Sequence, residues 1–144
     1  MKSVGIIVGT ILLVTVVVVV FVVTSVKKHE EKAAKTKYVV SFNDANFQKE
    51  VVEASKTRPV LVDFYADWCL PCRFLAPILE EAAKEVGDSA VIGKVNSDEN
   101  LIARRFRVTN IPVMFIIKDA QIKKKIDGLV PKETIVQALK EQTQ

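Results

Sequence analysis

Three apolar patterns divide the chain. The first is a block: Val4 to Val26 is 23 residues without a charged side chain, with Ile11-Leu12-Leu13 followed by the run Val16 to Val23. That length crosses a hydrocarbon core of about 30 Å with some tilt. A cleaved signal peptide would share the short basic start Met1-Lys2, but its apolar region would be about 7–15 residues long and would end at an A-x-A-like site. No such site follows here, so the block reads as an uncleaved anchor. Gly5 and Gly9 form a G-x-x-x-G through which two anchors could pack, although small-residue pairs are common in such helices.

The second pattern is the short apolar run bounded by polar residues, which predicts strands at Tyr38–Val40, Val60–Ala66, Ala90–Asn96 and Val113–Ile117; the turn Lys118-Asp119-Ala120-Gln121 then leads into a further strand, Ile122–Asp127, ended by Gly128. The third is helical spacing. Phe74, Leu75, Ile78, Leu79, Ala82, Ala83 and Val86 recur at intervals of one, three and four, predicting a helix over 69–86 with those residues inward. An earlier helix is expected with Asn43 or Asp44 as cap and Phe47, Val51, Val52 and Ala54 inward. A short helix is expected over Glu99–Phe106, and a last one from Pro131, placed at the tolerated first position, to about Glu141. The order β-α-β-α-β-α-β-β-α describes an α/β domain, a mixed sheet with helices on both faces. The expected boundaries are an anchor and basic tether over 1–37 and one domain over 38–144.

Charge sharpens that boundary. Residues 1–37 carry six lysines against Glu30 and Glu31, whereas residues 38–144 carry fifteen basic and fifteen acidic groups. The chain's net charge of +4 therefore belongs to the tether. Neither base-stacking nor phosphate-cradling motifs occur, so no nucleic-acid partner is expected. Lys27, Lys28, Lys32, Lys35 and Lys37 after the span outweigh Lys2 and the amino terminus before it, which by the positive-inside rule places the domain in the cytoplasm. The same basic run could hold anionic lipid.

The only two cysteines, Cys69 and Cys72, form a C-x-x-C where the Val60–Ala66 strand gives way to a helix. Backbone N–H groups are unpaired there and the helix dipole is positive, so a Cys69 thiolate is stabilised and nucleophilic near neutral pH. Cys72 lies one turn behind and can close a disulfide. So small a loop does little as a structural staple. Metal binding is the other alternative, but tetrahedral zinc needs four ligands and the only histidine, His29, lies in the tether. No metal and no cofactor are expected. Pro71 fits the first helical turn, where its missing N–H costs nothing.

The run Val62-Asp63-Phe64-Tyr65-Ala66-Asp67-Trp68-Cys69-Leu70-Pro71-Cys72-Arg73, then Ala76-Pro77-Ile78-Leu79-Glu80, Gly93-Lys94-Val95-Asn96 and Ile111-Pro112-Val113, resembles the thioredoxin family from about Tyr38 onward. The resemblance implies a thioredoxin fold and a thiol–disulfide oxidoreductase that reduces disulfides in client proteins. It implies Cys69 as attacking thiolate, the more exposed of the pair, and Cys72 as buried resolving thiol, joined through a mixed disulfide. Asp63, in an apolar run that should be buried, would have a raised pKa and serve Cys72 as base; an aspartate facing water at a strand end is the alternative. Lys94 would tune Asp63, or be an ordinary surface lysine. Pro112 would follow a cis bond beside the cysteines, and Trp68 would shield the thiols and contact partners. Pro71 implies a reducing poise.

Leu70 stands where the family usually has glycine, Val113 where it has threonine, and Tyr65 where it has tryptophan. Pro77 should kink its helix. Lys123-Lys124-Lys125 reads as a solvated strand edge. An upstream thiol reductant is implied but not identified. Many tethered bacterial members face outward, against the lysine bias. The rivals are a dedicated extracytoplasmic thiol reductase of the cytochrome-maturation type, a copper(I) metallochaperone and a redox-inert docking module.

Overall fold

The computed structural model describes residues 15–21 and 38–143. The chain divides into two units, Met1–Lys37 and Tyr38–Gln144. In the first, residues 15–21 are helical, with Val16 to Phe21 exposed. Among the described residues no helix is long and apolar enough to cross a membrane. The span expected over 4–26, with Gly5 and Gly9, lies outside the described residues apart from 15–21.

The second unit is built on a five-stranded sheet. Its strands are β1 (Val40–Ser41), β2 (Val60–Tyr65), β3 (Val91–Asn96), β4 (Val113–Lys118) and β5 (Gln121–Asp127), ordered β1-β3-β2-β4-β5. The first three are mutually parallel, and β4 runs antiparallel to both β2 and β5. The predicted mixed sheet is therefore found. Central β2 is buried from Val60 to Phe64, as a strand covered on both faces must be, which is why its apolar residues do not alternate with polar ones.

Helix α1 is a π-helical stretch, Gln48–Glu53, followed by one 3-10 turn, Ala54–Lys56. Then come α2 (Leu70–Val86), the short α3 (Ile102–Arg105) and α4 (Lys132–Lys140). Leu75, Leu79, Ala82, Ala83 and Val86 of α2 pack with Ile135, Val136, Ala138 and Leu139 of α4 against Leu61, Ile92, Met114 and Ile116. On the opposite face, Val51 of α1 and Ile102 and Ala103 of α3 cover Val62, Phe64, Val95 and Phe115. Phe42, Phe47, Phe64, Phe106 and Phe115 meet there with ring centroids 5.2–6.5 Å apart. Such aromatic pairs add about 0.5–1.5 kcal/mol each beyond burial. Asp63 shares the α2 side with Leu61, because strand residues alternate.

Several expectations are corrected. The first strand is shifted to Val40–Ser41, with Val39 buried just ahead of it. Neither Asn43 nor Asp44 caps α1, whose N-cap is Phe47 without a side-chain bond. Asn43 instead accepts from the N–H groups of Ala45 and Asn46 in a local turn. Asp44 reaches across the fold to accept from Leu101 and Ile102, at 2.9 and 3.1 Å, and so caps α3. Phe74 is 60% exposed, not inward. The buried stripe of α2 runs through Cys72, Leu75, Leu79, Ala82, Ala83 and Val86, and Phe74 falls outside it. Helix α2 continues through Pro77 and ends at Gly87, whose φ of 53° suits a glycine. Pro131 is the extended residue ahead of α4 rather than its first helical one.

Gly93 of β3 faces the ring of Phe42, which a Cβ would overlap. Gly93→Ala is expected to lower unfolding stability by about 1–3 kcal/mol, the usual scale of overpacking. A denaturant melt checks this: the midpoint should fall while the slope stays constant.

Candidate active site

Parallel β2 and β3 end together, with Tyr65 opposite Asn96, so the segments leaving them adjoin. From β2 come Ala66, Asp67, Trp68 and Cys69; from β3 come Ser97 and Asp98. Trp68 Nε1–H donates to Asp98 Oδ2 at 2.8 Å, while the indole remains 71% exposed. The expected tryptophan beside the cysteines is thus oriented by an acid that the sequence alone did not single out. Its signal was positional, a polar residue just past the end of a parallel strand.

Cys69 is the N-cap of α2, and Pro71 lies within its first turn. Cys69 and Cys72 are joined in a disulfide with Cα atoms 5.3 Å apart. Cys69 Sγ accepts the Cys72 backbone N–H at 3.3 Å, which places it on an otherwise unpaired donor of the helix start. The expectation that Cys69 is the more exposed cysteine is not met: Cys69 is 3% and Cys72 5% exposed. Bonded to each other, they form a small cluster with Ala66, and Tyr65 and Ile111 pack over it. Ile111, whose bond to Pro112 is cis, precedes β4, whose start lies opposite the end of β2, and so adjoins this cluster. Leu70 is exposed beside the pair.

Behind the disulfide, Cys72, Asp63, Lys94, Tyr65 and Arg73 line a cavity of about 530 Å³. Asp63 is 3% exposed and its Oδ1 has no hydrogen-bond partner. Burial pushes its pKa from 3.8 up to about 7, against the pull of Lys94 in the other direction. Lys94 is directly opposite Asp63 on β3, and its ammonium stands 4.9 Å from the ring centroid of Tyr65. The aspartate is thus buried rather than facing water, with the half-buried lysine beside it. Arg73 donates from Nη2 to the Asp67 carbonyl at 3.0 Å, closing the mouth of the loop. Among the described residues no three His, Cys, Asp or Glu stand together to hold a metal ion.

A buried cysteine pair at a helix start, closed as a disulfide and with a carboxyl of raised pKa sharing a cavity with its second cysteine, defines a thiol–disulfide exchange protein. The thioredoxin family model matches residues 38–141. Among similar proteins, thioredoxin 1 of Synechococcus elongatus is 44% identical over 97 residues, covering 67% of this chain and 89% of the relative. The thioredoxin of Chlorobaculum thiosulfatiphilum is 40% identical over 99 residues, covering 68% and 90%. That of Mycolicibacterium smegmatis is 41% identical over 103 residues, covering 69% and 90%. This chain belongs to the thioredoxin family. It is a thiol–disulfide oxidoreductase that reduces disulfides in client proteins, and neither the specialised reductase nor the copper(I) reading is favoured over that activity.

Proposed function

We propose that the reduced protein works through Cys69 as nucleophile, Cys72 as resolving thiol and Asp63 as base, on a domain tethered by residues 1–37. The Cys69 thiolate attacks one sulfur of a client disulfide, forming a mixed disulfide and releasing the first client thiolate. Cys72 gives its proton to Asp63 and attacks Cys69 Sγ, expelling the second client thiolate. The client gains two electrons, and the Cys69–Cys72 disulfide remains. An upstream dithiol reductant, itself oxidised, must then return the pair to the thiol form.

The observation that carries this reading is the contrast between the sulfurs. The Cys69 sulfur meets a helix-start N–H, whereas Cys72 shares its cavity with the buried carboxyl of Asp63. Lys94 limits how far the Asp63 pKa rises. Trp68 and Pro112 flank the place where a client strand would lie, and Pro71 fixes the first turn of α2. Insulin reduction with dithiothreitol as donor tests the exchange; no turnover would overturn it.

The tether reading rests on the 23 uncharged residues of Val4–Val26 and the lysine-rich stretch after them. A fragment of residues 38–144 is expected to be soluble, folded and active, because every strand and helix of the sheet domain lies within it. A fragment that fails to fold would place the boundary elsewhere. The lysine bias puts the domain on the cytoplasmic side. Labelling of Cys69 in intact cells by a membrane-impermeant thiol reagent would contradict that orientation.

A further inference from the structure

Beside the disulfide, on the side away from Asp63, runs a groove of about 420 Å³ lined by Trp68, Ser97, Asp98, Arg104, Asn110 and Ile111, among others. Trp68 precedes Cys69 in the chain, and Ile111 packs against the cluster of Ala66, Cys69 and Cys72. A client disulfide brought to Cys69 must therefore lay its flanking residues along or beside this groove.

The charges around it are uneven. Asp98, on the groove wall, accepts only the neutral indole N–H of Trp68 and is the acid that Arg104, Arg105 and Arg107 outnumber, and Asp44 is committed to capping α3. Glu99, next in the chain, is the other acid of this stretch. Arg104 lines the groove, and Arg105 and Arg107 are exposed in the same turn. Among the described residues these three guanidiniums have neither an ion-pair nor a hydrogen-bond partner. The lysines at positions 118, 124, 125, 132 and 140, in contrast, all pair with acids.

Two further observations mark the turn. Ser97 Oγ, on the groove wall, is fully covered and has no hydrogen-bond partner. Arg107 holds a φ of 52°, a backbone region that disfavours side chains other than glycine. The turn is pinned by Arg107 N–H to the Arg104 carbonyl and Val108 N–H to the Ala103 carbonyl, both at 3.0 Å.

We propose that this groove selects clients whose disulfide is flanked by acidic residues, with Arg104 as the specificity-determining contact. A guanidinium grips a carboxylate through paired N–H donors. Arg105 and Arg107 raise the encounter rate with acidic segments, an effect that salt screens. The inference rests on the exchange activity described above.

The test uses the full-length chain in detergent and three disulfide-bonded peptides, identical except for two glutamates, two lysines or two serines beside the cysteine. At low salt the glutamate peptide is expected to have a kcat/KM about tenfold above the lysine peptide, mostly through KM. The ratio should shrink toward one at high salt. Arg104→Glu should invert it, and Arg104→Gln, which only removes the charge, should lower it several-fold. A low-salt ratio within twofold of one overturns the proposal, as does a ratio that survives both substitutions. Serine-peptide turnover without discrimination defeats this inference alone; no turnover of any peptide defeats the exchange reading with it.

Discussion

Cys69→Ser is expected to abolish turnover of a protein disulfide, while Cys72→Ser is expected to accumulate the protein covalently joined to its clients. Both follow from the start of α2. Cys69 is the N-cap, its sulfur within reach of the Cys72 N–H, so the sulfur best placed to carry negative charge is Cys69 Sγ. Without it no mixed disulfide forms, and the rate should fall at least ~10³-fold, the scale on which removing a covalent nucleophile acts. Without Cys72, the first exchange proceeds but nothing breaks the Cys69–client bond. Non-reducing electrophoresis with and without dithiothreitol distinguishes these outcomes. Adducts on Cys69→Ser, or none on Cys72→Ser, would reverse the assignment.

Asp63→Asn should produce a protein that is more stable and slower. The native carboxyl has a pKa of about 7 against an ordinary 3.8, because burial opposes its charge more than Lys94 favours it. Below pH 3.8 the group is neutral in both folded and unfolded chains and costs nothing. As pH rises from 3.8 to 7, the unfolded chain ionises first and stability is lost; above 7 the full penalty applies. That rise corresponds to about 4 kcal/mol, an order-of-magnitude ceiling for the gain on substitution. The gain should be absent at acid pH and complete by pH 8. The amide cannot accept the Cys72 proton, so resolution should slow by about 10²–10⁴-fold near neutral pH. The deficit should narrow as pH approaches about 8.5, where a free thiol ionises unaided. Denaturant melts and single-turnover reduction from pH 6 to 9 measure both. A stabilised variant of unchanged rate would leave Asp63 without a part in the chemistry.

The strands β2, β3 and β4 were readable because each is a short apolar run closed by polar residues, whereas the lysine-rich β5 was legible only from the turn before it and Gly128 after it. The C-x-x-C and its helix were equally plain. Asp63 and Lys94 could be named from sequence, but only the parallel register sets them side by side. What escaped depends on distance along the chain. Asp44 looks like a local cap and instead caps α3, more than fifty residues away. Phe74 continues an apolar pattern by residue type, yet it lies just outside the stripe that α2 buries. Ile111 and Asp98 acquire their places only when β4 and β3 bring their ends to the cysteines. The burial of Cys69 was missed for the same reason, since the residues that cover it, Tyr65 and Ile111, come from two different segments.

The most direct measurement of the central claim is competitive alkylation of the reduced full-length protein at pH 7, with each cysteine's modification followed by peptide mass. The helix-start geometry predicts that Cys69 reacts at least about tenfold faster than Cys72. Faster modification of Cys72 would contradict it.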